Sequence, residues 1–120
     1  MRWSLYIALY LFPVPHSRAE TFIRVQKAAG DIYLRCGALE DVTLEPVSLE
    51  SAYGCAGFGS AVTLREGETL YLGLSRYRDS AHHDEVMAHV DADPEISALY
   101  AEMLTVLEMG RVVRGEFGRV

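Results

Sequence analysis

With 120 residues, half of them hydrophobic, the chain is long enough for one packed core and too apolar to be disordered. Seventeen acidic against eleven Lys and Arg side chains leave a net charge of −6 with no basic run. That balance argues against a nucleic-acid or anionic-membrane partner, whose affinity basic clusters would have to supply. A single domain over residues 1–120 is expected.

The opening "MRWSLYIALYLFPVP" imitates a secretory signal: a positive residue, then an apolar stretch. It is too short to span a bilayer, and Pro13, Pro15 and His16 stand where a small-residue cleavage site would fall. A strand over residues 3–12, ended by Pro13 and Pro15, explains it better. Both of its faces are apolar. Trp3, Leu5, Ile7, Leu9 and Leu11 make one; Ser4, Tyr6, Ala8, Tyr10 and Phe12 make the other. A strand with one wet face would alternate apolar with polar, so this one is covered on both sides.

Ser17 and Glu20 have capping-box spacing and predict a helix start. Phe22, Val25, Ala29, Ile32 and Cys36 then recur at steps of three and four, and Gly37 closes the helix. Residues 38–47 read as a strand in which Val42 and Leu44 alternate with Asp41, Thr43 and Glu45. "SAYGCAGFGSAVTLREGE" is irregular, with a short helical turn or strand expected around Ala61 to Leu64. Its glycines lack the Gly-Lys-Ser/Thr of a phosphate cradle, and no cofactor is expected.

Residues 69–77 form a two-faced strand, with Leu70, Leu72 and Leu74 on one side and Tyr71, Gly73, Ser75 and Tyr77 on the other. A helix over 80–91 follows. Asp93-Pro94 then supplies an N-cap and first-turn proline for another, striped by Ile96, Leu99, Tyr100, Met103 and Leu104. "RVVRGEFGRV" is the last strand. This order predicts an α+β, ferredoxin-like βαββαβ fold: an antiparallel sheet with helices on one face. The Leu/Ile side is expected to meet the helices. The tyrosine-rich side would then meet its own copy, giving a homodimer with facing sheets, a dimeric α/β barrel.

The chain resembles the YbaA-like bacterial proteins, a family of unknown function. The marks are "PVP" at 13–15, "CGALE" at 36–40, Tyr77, "SAHHDEVMAHVDADP" at 80–94 and "GRVVRGEF" at 110–117, with Arg111 on the relatives' arginine. It departs where relatives carry an acidic residue at Ala8, a tryptophan near Leu74, and a Val-Pro-x-Gly-Lys-Val-Thr loop in place of "AYGCAGFGS". The resemblance implies a ferredoxin-like dimeric barrel and no established activity.

The aromatic side holds the candidate ligand site. Tyr6, Tyr10, Tyr71, Ser75 and Tyr77 would project between the sheets, with Arg111 or Arg114 partnering the phenols and His82 reaching the barrel mouth. Such a site suits a small apolar or aromatic ligand; the plainer reading is interface packing. His82, Glu85 and His89 lie along one helix face, yet Val86 and Val90 beside them must face the core, so no metal is expected. Cys36 and Cys55, without a second pair, fit free thiols in a reducing cytoplasm. No cysteine or serine has a recognisable histidine partner. Two function classes follow: a homodimeric module binding a small molecule or partner, and a cofactor-free enzyme, monooxygenase- or isomerase-like by fold analogy.

Overall fold

A computed structural model describes residues 5–120. Its strands are β1 (Tyr6–Pro15), β2 (Glu40–Leu44), β3 (Glu68–Tyr77) and β4 (Val113–Gly118). Its helices are α1 (Ala19–Arg35), α2 (Phe58–Ala61), α3 (Ser80–Ala92) and α4 (Pro94–Met103). The strands join in one antiparallel sheet ordered β2-β3-β1-β4, the ferredoxin-like arrangement. The expected places of Trp3 and Ser4 in β1 lie outside the described residues. No described helix is long and apolar enough to cross a membrane.

Pro13 and Pro15 do not end β1. They pair with Leu70 and Glu68 of β3. β4 reaches only as far as Leu11, and the His16 N–H, one residue on, already points to the β3 side. By alternation the two proline nitrogens face the edge that β4 leaves empty, so no ladder bond is lost.

The Ser17/Glu20 capping box is also absent. A 3-10 turn over His16–Arg18 leads into α1, and neither start has a side-chain cap. The C-terminus follows expectation: Gly37 has φ +114°, Ala38 N–H donates to Tyr33 O at 3.0 Å and Gly37 N–H to Leu34 O at 3.1 Å. That pair of bonds is a Schellman motif, which needs a left-handed residue at Gly37. Asp79 caps α3 by accepting the His82 N–H, and Asp93 caps α4 by accepting the Glu95 N–H. In the irregular stretch the helical turn is α2, which overlaps the expected Ala61–Leu64 at Ala61 and otherwise lies before it.

The helices cover the opposite face of the sheet from the one expected. Ala8, Phe12, Tyr71, Ser75 and Tyr77 are buried beneath them. Phe22 of α1 stands with its ring 5.1 Å from Phe12 and 5.0 Å from Tyr71. Truncating such a buried aromatic costs about 3–5 kcal/mol, so this contact locks helix to sheet. The uncovered face carries Ile7, Leu9, Leu11, Val42, Leu72 and Leu74, all partly exposed, with Leu44, Val113 and Phe117 more open still. Both faces are apolar, so alternation groups the residues correctly without telling which group meets the helices. The tyrosine face is thereby removed as a subunit interface.

Candidate functional site

Between the tyrosine face and the helices the protein keeps a cavity of about 380 Å³. Its floor is Ala8, Tyr10, Gly73, Ser75 and Tyr77; α1 contributes Gly30 and Tyr33, α3 contributes His83 and Met87, and α4 contributes Met103. Asp41 of β2 and Arg114 of β4 close opposite sides of the sheet, since β2 and β4 are its two edges. A mostly apolar hollow with a few convergent polar groups is the usual form of a small-molecule site.

Four of the residues expected at a ligand site therefore meet: Tyr10, Ser75, Tyr77 and Arg114. The Tyr77 hydroxyl donates to Ser75 Oγ at 3.0 Å, which satisfies a phenol that is only 1% exposed. Burial, more than any neighbouring charge, pushes the Tyr77 ionisation up. Arg114 lies over the Tyr10 ring, 5.2 Å from its centroid, as a cation–π pair, and also binds Glu116. Tyr6 sits beside the cavity and donates to the same Glu116; that bond first, then burial, raises its ionisation to about 12. Arg114 and Tyr6 together hold the Glu116 carboxyl below its ordinary range.

The other expected residues go elsewhere. Tyr71 packs into the aromatic core with Phe22. Arg111 pairs with Glu68 at 2.7 Å and with Thr63 O at 2.9 Å, outside the cavity. His82 is buried, and its Nδ1 accepts the Arg78 N–H at 3.0 Å. The proton of the neutral ring is therefore on Nε2, and the side chain is a structural cap. Glu85 and His89 point outward while His82 points in, and no group of three or more possible metal ligands forms among the described residues.

Sequence reasoning missed His83 and Asp41. His83 lies edge-on to Tyr77 at 4.9 Å, with Nε2 3.6 Å from Glu116 Oε1 and Nδ1 3.1 Å from Asp84 Oδ1. Flanked by carboxylates inside a cavity wall, it can take up or pass on a proton. Asp41 alternates with Val42 and so reads as the wet side of a strand. In fact it is partly buried under α1, and burial first, then the Asp31 charge, raises its pKa from 3.8 to about 6. The one local trace of it is Gly30 inside α1, a helix-weakening residue that leaves room for the Asp41 carboxylate.

The fold recurs in solved structures at low identity. A variant of SnoaB, a cofactor-independent oxygenase from Streptomyces nogalater, superposes with TM-score 0.61 at 14% identity, over 94% of this chain and 90% of that one. A dimeric ferredoxin-like protein from an uncultured marine organism gives 0.63 at 10% identity, covering 99% and 90%. A dimeric ferredoxin-like protein of unknown function from Thermobifida fusca gives 0.56 at 10%, covering 99% and 94%. No curated protein sequence matches the chain. Identities this low carry the fold and nothing chemical. Over residues 5–106 the sequence matches the model of the family described as "Protein of unknown function (DUF1428)", and the chain belongs to that family.

Proposed function

We propose that the protein is a homodimeric module that binds a small apolar or aromatic molecule inside each subunit. The ligand occupies the cavity between sheet and helices rather than the space between two sheets. The observation that carries this reading is the cavity itself: about 380 Å³ walled by aromatic and methionine side chains, with Tyr77, Ser75, Asp41, His83 and Arg114 among its polar groups. Titration calorimetry with 2-naphthol, a neutral aromatic probe, tests it. Binding that Met87→Trp abolishes by filling the hollow supports the reading; binding unchanged by that variant moves the ligand elsewhere.

Dimerisation uses the uncovered face. Leu9 with Leu74, and Leu11 with Leu72, pair across the central strands, and Ile7 with Phe117 extends the patch onto β4. A contiguous apolar surface of this kind is suited to being covered by a second copy. Two of the structural neighbours are described as dimeric, which supports the same reading. Light scattering at tens of micromolar that finds monomer overturns it.

A second reading, a cofactor-free enzyme, is favoured by one observation: Asp41 and His83, two proton-exchanging groups, both line the cavity. The SnoaB likeness adds an analogy of fold only. Oxygen uptake with a dihydroxynaphthalene, lost in Asp41→Asn, would favour this reading over simple binding. Within its family we assign the chain to the YbaA-like proteins on the 36–40 and 80–94 motifs. It acts as a single domain in the cytoplasm, in keeping with its two free cysteines, and without a nucleic-acid or membrane partner given its negative charge.

A further inference from the structure

We propose that the cavity's ligand carries an amine, and that its ammonium group is bound by Asp41. This inference rests on the cavity reading above and adds the charge of the ligand to it.

Along the helix-facing side of β2, Thr43 has a partner: Gln26 of α1 donates to its hydroxyl at 3.3 Å. Asp41, two residues earlier on the same side, accepts no hydrogen bond and has no cation within 4 Å among the described residues. Across the sheet, Arg114 is the one guanidinium lining the cavity among the described residues, and it is spoken for by Glu116 and the Tyr10 ring. Among the described residues that line the cavity, Asp41 is therefore a carboxylate without a matching cation. A carboxylate held in apolar surroundings without a partner is costly, and proteins keep such a group where something else completes it.

The backbone is shaped to keep it there. Gly30 lies opposite, and a Cβ at that position would stand 2.6 Å from Asp41 Oδ1. A glycine inside a helix costs about 1 kcal/mol relative to alanine. The gap therefore seats the carboxylate beneath α1 at a cost to the helix. Acceptors for further ammonium protons are at hand: Ser75 is the direct cross-strand neighbour of Asp41, and Tyr33 and Tyr77 both line the same hollow. The protein's overall negative charge favours approach of a cation as well.

Size narrows the class. A cavity of 150 Å³ accepts benzene, so about 380 Å³ has room for one or two rings and a short tether. A small arylalkylamine fits both the volume and the charge. An anionic aromatic would meet Asp41 with like charge and find Arg114 already occupied.

The experiment is titration calorimetry of the full chain near neutral pH with 2-phenylethylamine, 2-phenylethanol and 3-phenylpropionate. Tryptamine serves as the two-ring amine, and 2-naphthol as the neutral cavity probe. The amines should bind at least tenfold more tightly than the alcohol, with the carboxylate weakest. Asp41→Asn should remove that preference while keeping 2-naphthol binding, which also certifies that the variant folds. Asp31→Asn, which removes the neighbouring charge on α1, should leave the preference in place. If 2-naphthol binds in the cavity but the amines bind no better than the alcohol, or if the preference survives Asp41→Asn, the amine inference is wrong and the cavity reading stands. If no probe binds, both fall.

Discussion

Gly30 of α1 and Asp41 of β2 exclude each other's growth: a methyl on the first would come within 2.6 Å of the carboxylate of the second. Alanine at position 30 gains about 1 kcal/mol of helix propensity but must turn the Asp41 side chain away. Gly30→Ala should therefore melt at or slightly above the wild-type temperature while losing at least tenfold in amine affinity. Calorimetry reads both. An unchanged affinity would show that Asp41 holds its place without the gap.

Asp41 also gives the fold a pH signature. Its carboxyl titrates at about 6 in the folded protein against an ordinary 3.8, so the native state keeps a proton that the unfolded chain has released. Stability from this group is present at low pH and is lost as pH rises between about 4 and 6. The full shift corresponds to about 3 kcal/mol, and the partial exposure of Asp41 reduces the loss to on the order of 2 kcal/mol. Carboxylates such as Glu68 titrate with the opposite sign in part of this range, so the difference between wild type and Asp41→Asn isolates the effect. Urea unfolding of both across that window should show Asp41→Asn gaining on the wild type as pH increases.

The pair of Glu68 and Arg111 works in reverse. Arg111 grips both carboxylate oxygens, at 2.7 and 2.8 Å, and this bond first holds Glu68 down to about 2. Its contribution is complete above the ordinary glutamate pKa of 4.5 and disappears as pH falls towards 2. Glu68→Gln should cost about 2 kcal/mol at neutral pH and much less in acid. Arg111→Met should also destabilise the fold at neutral pH, because Glu68, whose side chain is 6% exposed, would keep the Arg65 N–H but lose both guanidinium bonds. Ligand binding should be unaffected by either, since both lie outside the cavity.

Adjacent residues on β3 separate folding from assembly. Tyr71 is buried against Phe22, whereas Leu72 faces the uncovered side. Tyr71→Asp should unfold the chain, because it buries an unpaired carboxylate and removes an aromatic anchor. Leu72→Asp should leave native circular dichroism and give a monomer by light scattering. A dimer that tolerates Leu72→Asp would mean that copies meet through another surface.

The sequence by itself determined the element order, the C-terminal Gly37 motif, the Asp93 cap and the antiparallel ferredoxin-like arrangement. Each of these is set by residues a few positions apart, where periodicity and turn chemistry act. It also grouped Tyr10, Ser75 and Tyr77 on one side of the sheet, because alternation is a local property of a strand. Only the tertiary structure decided which side that was. Ile7 and Tyr10 belong to two apolar faces, and the choice between them is made where α1 and α4 dock, through contacts such as Phe12 with Phe22. The same docking turns Asp41, apparently on a wet face, towards the cavity. It also makes His83 rather than His82 the histidine that lines it, since neighbours on a helix diverge by about 100°. How α3 is rotated against the sheet fixes which of the two meets the hollow, and no local pattern encodes that angle.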